Sequence, residues 1–235
     1  MSLSGIFPLN DFIFDTGKML EGLSNQESGI LFRNRVSQSY KKSEIVFKDG
    51  NYASGIYLVE SGLIKKFKVD SVGIEQIFYL YGKGEIFGYH ALLNNRNHID
   101  STAAICDSTL FFIPRTDFHE LLHFSPSFGR KLLTVLSNEF DVLSNIFTLY
   151  NQRSLRERLI LILINLREKF KAPDFKDGDS VKIFVSRIDL ASMLGTARES
   201  VVRILRDLKA EGFIHTKGGM IEITDVKKLL NTVVF

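Results

Sequence analysis

Arg198, Glu199, Val202, Arg203 and Arg206 stand within nine residues of one another near the C-terminal end of a 235-residue chain. On a helix of 3.6 residues per turn they fall on one side, and Val201, Ile204, Leu205 and Leu208 fall on the other. An arginine offers two parallel donors that match O6 and N7 of a guanine. A glutamate accepts from the N4 amino group of a cytosine, and a valine offers only an apolar contact, such as to a thymine methyl. A helix carrying this set outward, first turn leading, has the chemistry to read base edges in a major groove. Each residue also has a plainer use: Glu199 can complete a helix cap, Arg203 can pair with Glu199 at i+4, and Arg206 can simply be solvated.

The flanking residues predict how this helix is held. Ser154 to Glu157, Ser186 to Asp189 and Thr196 to Glu199 each set a hydroxyl three residues before a carboxylate, the spacing that caps a first turn. Three helices are expected to begin there. The last two are separated only by Leu194-Gly195, a turn tight enough to specify a helix-turn-helix, with Gly195 free to take positive φ. Glu211-Gly212 ends the last helix. Phe213 to Thr216 and Met220 to Ile223 then read as two strands joined at Lys217-Gly218-Gly219, which makes the segment a winged helix. Thr196, Ser200, Ser186, Arg187 and Lys217 are the further candidate DNA contacts, with Lys217 in the wing suited to a phosphate.

Upstream the period changes. Leu133, Leu136, Phe140, Leu143, Phe147 and Tyr150 recur at alternating spacings of three and four, as in a coiled-coil seam, and predict a long helix over roughly 127 to 150. Leu132, Val135, Val142 and Ile146 widen the stripe. Part of this helix should therefore pack on its own domain while the seam meets a second copy; an ordinary amphipathic core helix is the alternative. From Tyr40 to Pro114 short β-rich runs (44–47, 56–59, 63–69, 76–80 and 109–113) are punctuated by Gly, Asn and Asp, which means a sandwich, barrel or roll. Nothing there has the form of a phosphate loop, a nucleophile elbow or a His-Glu-x-x-His helix.

Composition bounds the rest. With 45% hydrophobic and 24% charged residues the chain has the make-up of a folded protein. Residues 1–151 carry 14 Lys and Arg against 16 Asp and Glu, a balance of −2, and residues 152–235 carry 16 against 11, a balance of +5. The basic excess lies where a phosphate-binding module would need it. The opening residues lack a basic region followed by an apolar run, and the longest aliphatic stretch, Leu159 to Ile164, is too short to span a bilayer, so a cytoplasmic protein with no membrane partner is expected. Cys106 is the single cysteine. It is expected as a small buried filler in a strand, and it leaves no Cys-based zinc or iron–sulfur site within one chain.

Ser186-Arg187-Ile188-Asp189-Leu190-Ala191 through Gly195-Thr196-Ala197-Arg198-Glu199-Ser200-Val201-Val202-Arg203-Ile204-Leu205 resembles the helix-turn-helix of the Crp/Fnr transcription regulators. Lys41 to Gly50, Gly55 to Gly62 and Gly84 to Gly88 resemble turns of that family's cyclic-nucleotide-binding β-roll. The resemblance covers some four-fifths of the chain and implies an α+β protein: an N-terminal β-roll sensor (1–126), a dimerisation helix (127–151) and a C-terminal winged-helix DNA-binding domain (152–235). It further implies base contacts at Arg198, Glu199 and Arg203, a homodimer on a pseudo-palindromic double-stranded DNA site with half-sites similar to TGTGA, RNA polymerase as a partner, and no catalysis. The sequence departs from the cyclic-AMP-binding members at the effector site. Tyr89 follows Gly88 where they have a ribose-binding Glu, and His98-Ile99 stand near their phosphate-binding Arg-Ser pair, so cyclic AMP is not expected as effector. Gly88, Tyr89, His98 and Ile99 remain the candidate effector pocket. An iron–sulfur cluster lacks its cysteines, a haem would need His90 or His98 as axial ligand, and His119 and His123, at i and i+4, lack a third metal ligand. A module whose winged helix contacts another protein stays open beside DNA binding.

Overall fold

A computed structural model describes residues 11–171, 175–176 and 179–233. The chain divides into two compact units, Phe14–Glu139 and a second that runs from Phe140, so the break falls inside a helix.

The first unit opens with a 3-10 turn, Thr16–Leu20, capped by Asp15, and helix α1, Asn25–Leu31, whose Ser24 and Glu27 form a reciprocal capping box. Eight strands follow: β1 Val36–Tyr40, β2 Ile45–Phe47, β3 Gly55–Ser61, β4 Ile64–Val69, β5 Glu75–Tyr81, β6 Ile86–Phe87, β7 Ser101–Ala104 and β8 Ser108–Pro114, with helix α2, Tyr89–Leu93, between β6 and β7. They form two antiparallel sheets, ordered β1-β8-β3-β6 and β2-β7-β4-β5. Phe47 of one sheet meets Tyr57 and Phe87 of the other at ring separations of 5.9 and 6.1 Å, and Tyr81 meets Phe87 at 5.0 Å, so aromatic rings fill the space between the sheets. Gly62 turns β3 into β4 at φ 95, and a Cβ there would lie 2.0 Å from the Ser108 hydroxyl, so the hairpin admits no side chain at that position. The runs expected as strands form strands. Sequence reading missed β1, β6 and β7, which are short or rich in Ser, Thr and Ala. Cys106 is a correction: it is half-buried in the turn between β7 and β8, where its carbonyl accepts a hydrogen bond from Ser108.

Helix α3, Arg115–Phe124, leads into the long helix α4, Pro126–Gln152. Phe128, Leu132 and Val135 of α4 join Phe118 and Leu121 of α3, Ile56, Ile86 and Ile113 of the first sheet, and Tyr89 and Leu92 of α2 in one buried core. Leu133, Phe140, Leu143 and Phe147 stay 67%, 71%, 47% and 71% exposed on the opposite stripe. Leu136 departs from the seam: it is half-buried against the unit's own core. The side chain of Tyr150 lies outside the described residues.

The second unit contains α5, Leu155–Lys169, with the expected Ser154–Glu157 capping box, then strand β9, Lys182–Phe184, and helix α6, Arg187–Leu194, capped by Ser186. Gly195 closes α6 at φ 63 and ψ 43, the left-handed region that suits a glycine. Helix α7, Arg198–Ala210, is followed by β10, Ile214–Lys217, β11, Met220–Ile223, and α8, Val226–Leu230. Strands β10 and β11 form the expected hairpin around Gly218-Gly219, and β9 adds a third strand beside β11 that the sequence reading did not foresee.

Candidate nucleic-acid interface and effector cleft

Helix α7 is held by its apolar side. Val201, Ile204, Leu205 and Leu208 are buried, and Arg198, Glu199, Val202, Arg203 and Arg206 share one open surface. No ion pair or hydrogen bond occupies the side chains of Arg198, Glu199 or Arg203 among the described residues, so the i+4 pairing open to Glu199 and Arg203 is not formed; Arg206 approaches Asp207 at 3.6 Å. The expected Thr196 cap is corrected: the N-cap is Ala197, with no side-chain cap bond. The left-handed turn at Gly195 engages the Thr196 N–H with the Ala191 carbonyl at 3.1 Å, and the helix begins one residue later than the capping spacing requires. Glu199 is thereby left in the first turn without capping work, where its charge still suits the helix N-terminus.

The remaining candidates differ in how far they are committed. The Ser186 hydroxyl accepts from the Asp189 N–H at 2.9 Å and donates to the Asp189 carboxylate at 2.6 Å, so it serves the start of α6. Arg187 donates through Nη1 to the Gly219 carbonyl at 3.1 Å, and burial pushes its pKa down. It therefore ties α6 to the wing. Thr196 and Ser200 are half-buried beside the α7 surface, and Lys217 is exposed on the last position of β10.

In the β unit a cleft of about 80 Å³ lies between the sheet residues Phe47, Lys66, Tyr81 and Thr102 and the segment from Gly88 to Asp100. Gly88, His98 and Ile99 are among its lining residues, and Tyr89 is not. The Tyr89 side chain is fully buried in the core, and its hydroxyl donates to Oε1 of Glu139 on α4. Burial pushes the Tyr89 pKa up, and the Tyr81 and Glu139 groups add to this, so the phenol stays a donor. Glu139 is itself buried and holds His90 Nε2 at 2.8 Å through its other oxygen. The cleft wall and the long helix are thus joined by one carboxylate with two partners. His98 lies flat on Phe47 at 3.7 Å, and its pKa is pushed down by burial, with Asp100 opposing and Lys66 adding to the effect. Lys66 and Asp100 pair at 3.2 Å inside the lining. Sequence reading did not single out Glu139, Lys66, Arg96 or Thr102. For Glu139 a signal existed: it continues the buried row Leu132, Val135, Glu139, Val142 at spacings of three, four and three, and a carboxylate in such a row needs a partner. Of the pair His119 and His123, the His123 ring is engaged, with Nδ1 donating to the His119 carbonyl at 2.7 Å, and among the described residues no group of three or more possible metal ligands contains either of them.

Two family models match the chain, a cyclic nucleotide-binding domain over residues 37–123 and a Crp-like helix-turn-helix domain over residues 157–232. The chain belongs to the Crp/Fnr family and is a transcription regulator with a DNA-binding helix-turn-helix. It is 28% identical over 189 residues, 80% of its length and 78% of the relative's, to the regulatory protein HlyX of Actinobacillus pleuropneumoniae. It is 26% identical over 211 residues, 90% and 94% of the two chains, to a cyclic AMP receptor protein of Thermus thermophilus. The structure of FixK2 from Bradyrhizobium japonicum has the same fold, with a TM-score of 0.74 over 84% of this chain and 96% of that one at 22% identity. Members of this family bind DNA, typically as dimers. No helix among the described residues is long and apolar enough to cross a membrane.

Proposed function

We propose that the protein is a cytoplasmic homodimer that reads a pseudo-palindromic site on double-stranded DNA, works with RNA polymerase without catalysing a reaction, and answers to an effector other than cyclic AMP. The observation that carries this reading is the outward face of α7, where two arginines and a glutamate have no partner among the described residues on a helix anchored by its opposite side. Arg198 and Arg203 read guanines, and Glu199 accepts from a cytosine amino group within a half-site similar to TGTGA; Lys217 contacts phosphate. Residues 1–126 act as the sensor, the helix over 127–151 joins the two copies, and 152–235 bind DNA. The unpartnered stripe of Leu133, Phe140, Leu143 and Phe147 supports the join, since four exposed large apolar groups in one row are what a second helix would cover. Tyr89, which turns to Glu139 where the resemblance expects a ribose contact, supports the exclusion of cyclic AMP.

Selection from a random DNA library with wild type and Arg203→Ala tests the code. The variant should bind the preferred site about 1–3 kcal/mol more weakly and lose discrimination at one base pair. An unchanged base preference would assign Arg203 to the helix alone, and salt-insensitive retention of the wild type would favour a protein as the partner of the winged helix. Micromolar cyclic AMP affinity in a calorimetric titration would overturn the effector reading.

A further inference from the structure

The resemblance implies base contacts at Arg198, Glu199 and Arg203 and says nothing of Val202. The structure sets that residue apart. Val201 beside it is fully buried, whereas Val202 is 45% exposed, and of the five residues that line the open surface of α7 it alone is apolar. Its neighbours on the helix are all charged: Arg198 four positions before it, Glu199 three before, Arg203 next in the chain and Arg206 four after. A valine on a helix has one strongly preferred rotamer, so its two methyl groups hold a fixed place among these charges. Val202 lies one turn beyond Arg198 and Glu199 and one turn short of Arg206. A duplex that brings base edges against Arg198, Glu199 and Arg203 therefore covers the valine as well and takes its methyl groups out of water.

Chemistry restricts what it can meet there. In the major groove guanine, cytosine and adenine present hydrogen-bond donors and acceptors, and an apolar group pressed on one of these removes its water without replacing the bond. Of the four bases only thymine offers an apolar group, the methyl on C5. The same carbon of cytosine is bare, and methylation there restores the same apolar contact. We propose that Val202 reads the C5-methyl group of a pyrimidine, so that a thymine faces it in each half-site and 5-methylcytosine is bound in preference to cytosine at that place. The inference rests on the DNA-reading face of α7 and deepens it: the two arginines and the glutamate select by hydrogen bonds, and the valine selects by contact with a methyl group and by rejecting a polar edge.

Competition binding of the full-length protein to its selected site tests the contact. Each thymine of the half-site is replaced in turn by uracil, which removes the C5-methyl group and leaves every hydrogen-bonding group in place. At one position per half-site the exchange should weaken binding about threefold to fivefold, the effect of one methyl group returned to water. Val202→Ala should bring this ratio toward one. The residue is exposed, so the variant does not endanger the fold, and because thymine and uracil are compared on the same protein any change in helix stability cancels. With a C·G pair at the same position, 5-methylcytosine should bind wild type about threefold or more better than cytosine and should bind the variant equally well. A site without a uracil-sensitive thymine, or a uracil penalty of unchanged size in Val202→Ala, overturns the proposal. If Arg203-dependent discrimination persists in that case, the valine contact alone is overturned; if it is absent too, the reading of α7 falls with it.

Discussion

On α7 Arg198, Glu199 and Arg203 stand in solvent without a partner among the described residues, whereas around α2 Tyr89, His90 and Glu139 are turned onto one another. No hydrogen bond or ion pair among the described residues occupies Arg198, Glu199 or Arg203; Tyr89, His90 and Glu139 are bound together, as are Lys66 and Asp100. The first arrangement leaves its binding free energy for a partner outside the protein. The second ties its polar groups to the long helix at residue 139. A regulator needs both: a surface that recognises and an interior that reports.

The contrast runs along α4 itself, and breaking it there should have the largest effect. Leu143→Lys with Phe147→Lys places two charges on the exposed stripe without touching the buried row of Leu132, Val135 and Val142. The double variant should remain folded, sediment as a monomer and lose roughly a hundredfold or more in affinity for a two-half-site DNA, because the second half-site is no longer bound intramolecularly. Leu136 is the wrong place for such a test, since it packs on its own core. A dimer that persists in sedimentation would show that the stripe is not the join.

Glu139→Ala tests the interior side. The substitution leaves the buried Tyr89 hydroxyl and the partly exposed His90 ring without their acceptor, and unfolding by urea should show a loss of about 1–3 kcal/mol, most of it from Tyr89. Tyr89→Phe in the same background should recover part of that loss, because it removes one of the two orphaned donors. Equal stability of wild type and Glu139→Ala would mean that the carboxylate is not the link between cleft and helix.

Why one region was legible in the sequence and the other only in outline follows from the same contrast. The face of α7 is written in a local period: five outward and four inward residues within eleven positions, a glycine at the turn, a hairpin after it. The starts of α5 and α6 and most strands were readable for the same reason. Tyr89 and Glu139 are 50 residues apart, and Lys66 and Asp100 are 34 apart; pairings of that span leave no periodic trace. Tyr89 was expected in the pocket because it follows Gly88 in sequence, but a residue opening a helix turns with the helix, and α2 directs it into the core. The cap at Thr196 failed for a local reason that spacing alone does not show, the hydrogen bond that closes the Gly195 turn.

Arg187 lies between the two cases, a candidate DNA contact whose guanidinium is used inside the protein. Arg187→Lys should keep a charge near the DNA but lose the planar donor on the Gly219 carbonyl. Hydrogen exchange at the wing turn should speed up, and affinity should fall by about 0.5–1.5 kcal/mol at specific and random sites alike. A loss confined to one base pair would instead make Arg187 a base reader.

The smallest expected effect is the pH response of His98. Its ordinary pKa is 6.5, and burial on Phe47 lowers it in the folded chain, so between the two values the unfolded chain binds a proton that the folded chain does not. Stability therefore rises with pH through this window and is lost as pH falls below about 6.5. Asp100 opposes the shift and Lys66 reinforces it, and these two are themselves paired, so the net effect between pH 7.5 and 5.5 should be modest. His98→Gln removes the titration, and its stability to urea over the same range should vary less with pH. The variant also loses the ring stacked on Phe47, a cost that does not depend on pH and appears as a constant offset. The slope, not the offset, is the test: parallel pH profiles for wild type and variant would show that the His98 ring takes up its proton equally in both states, and that burial in the cleft does not govern it.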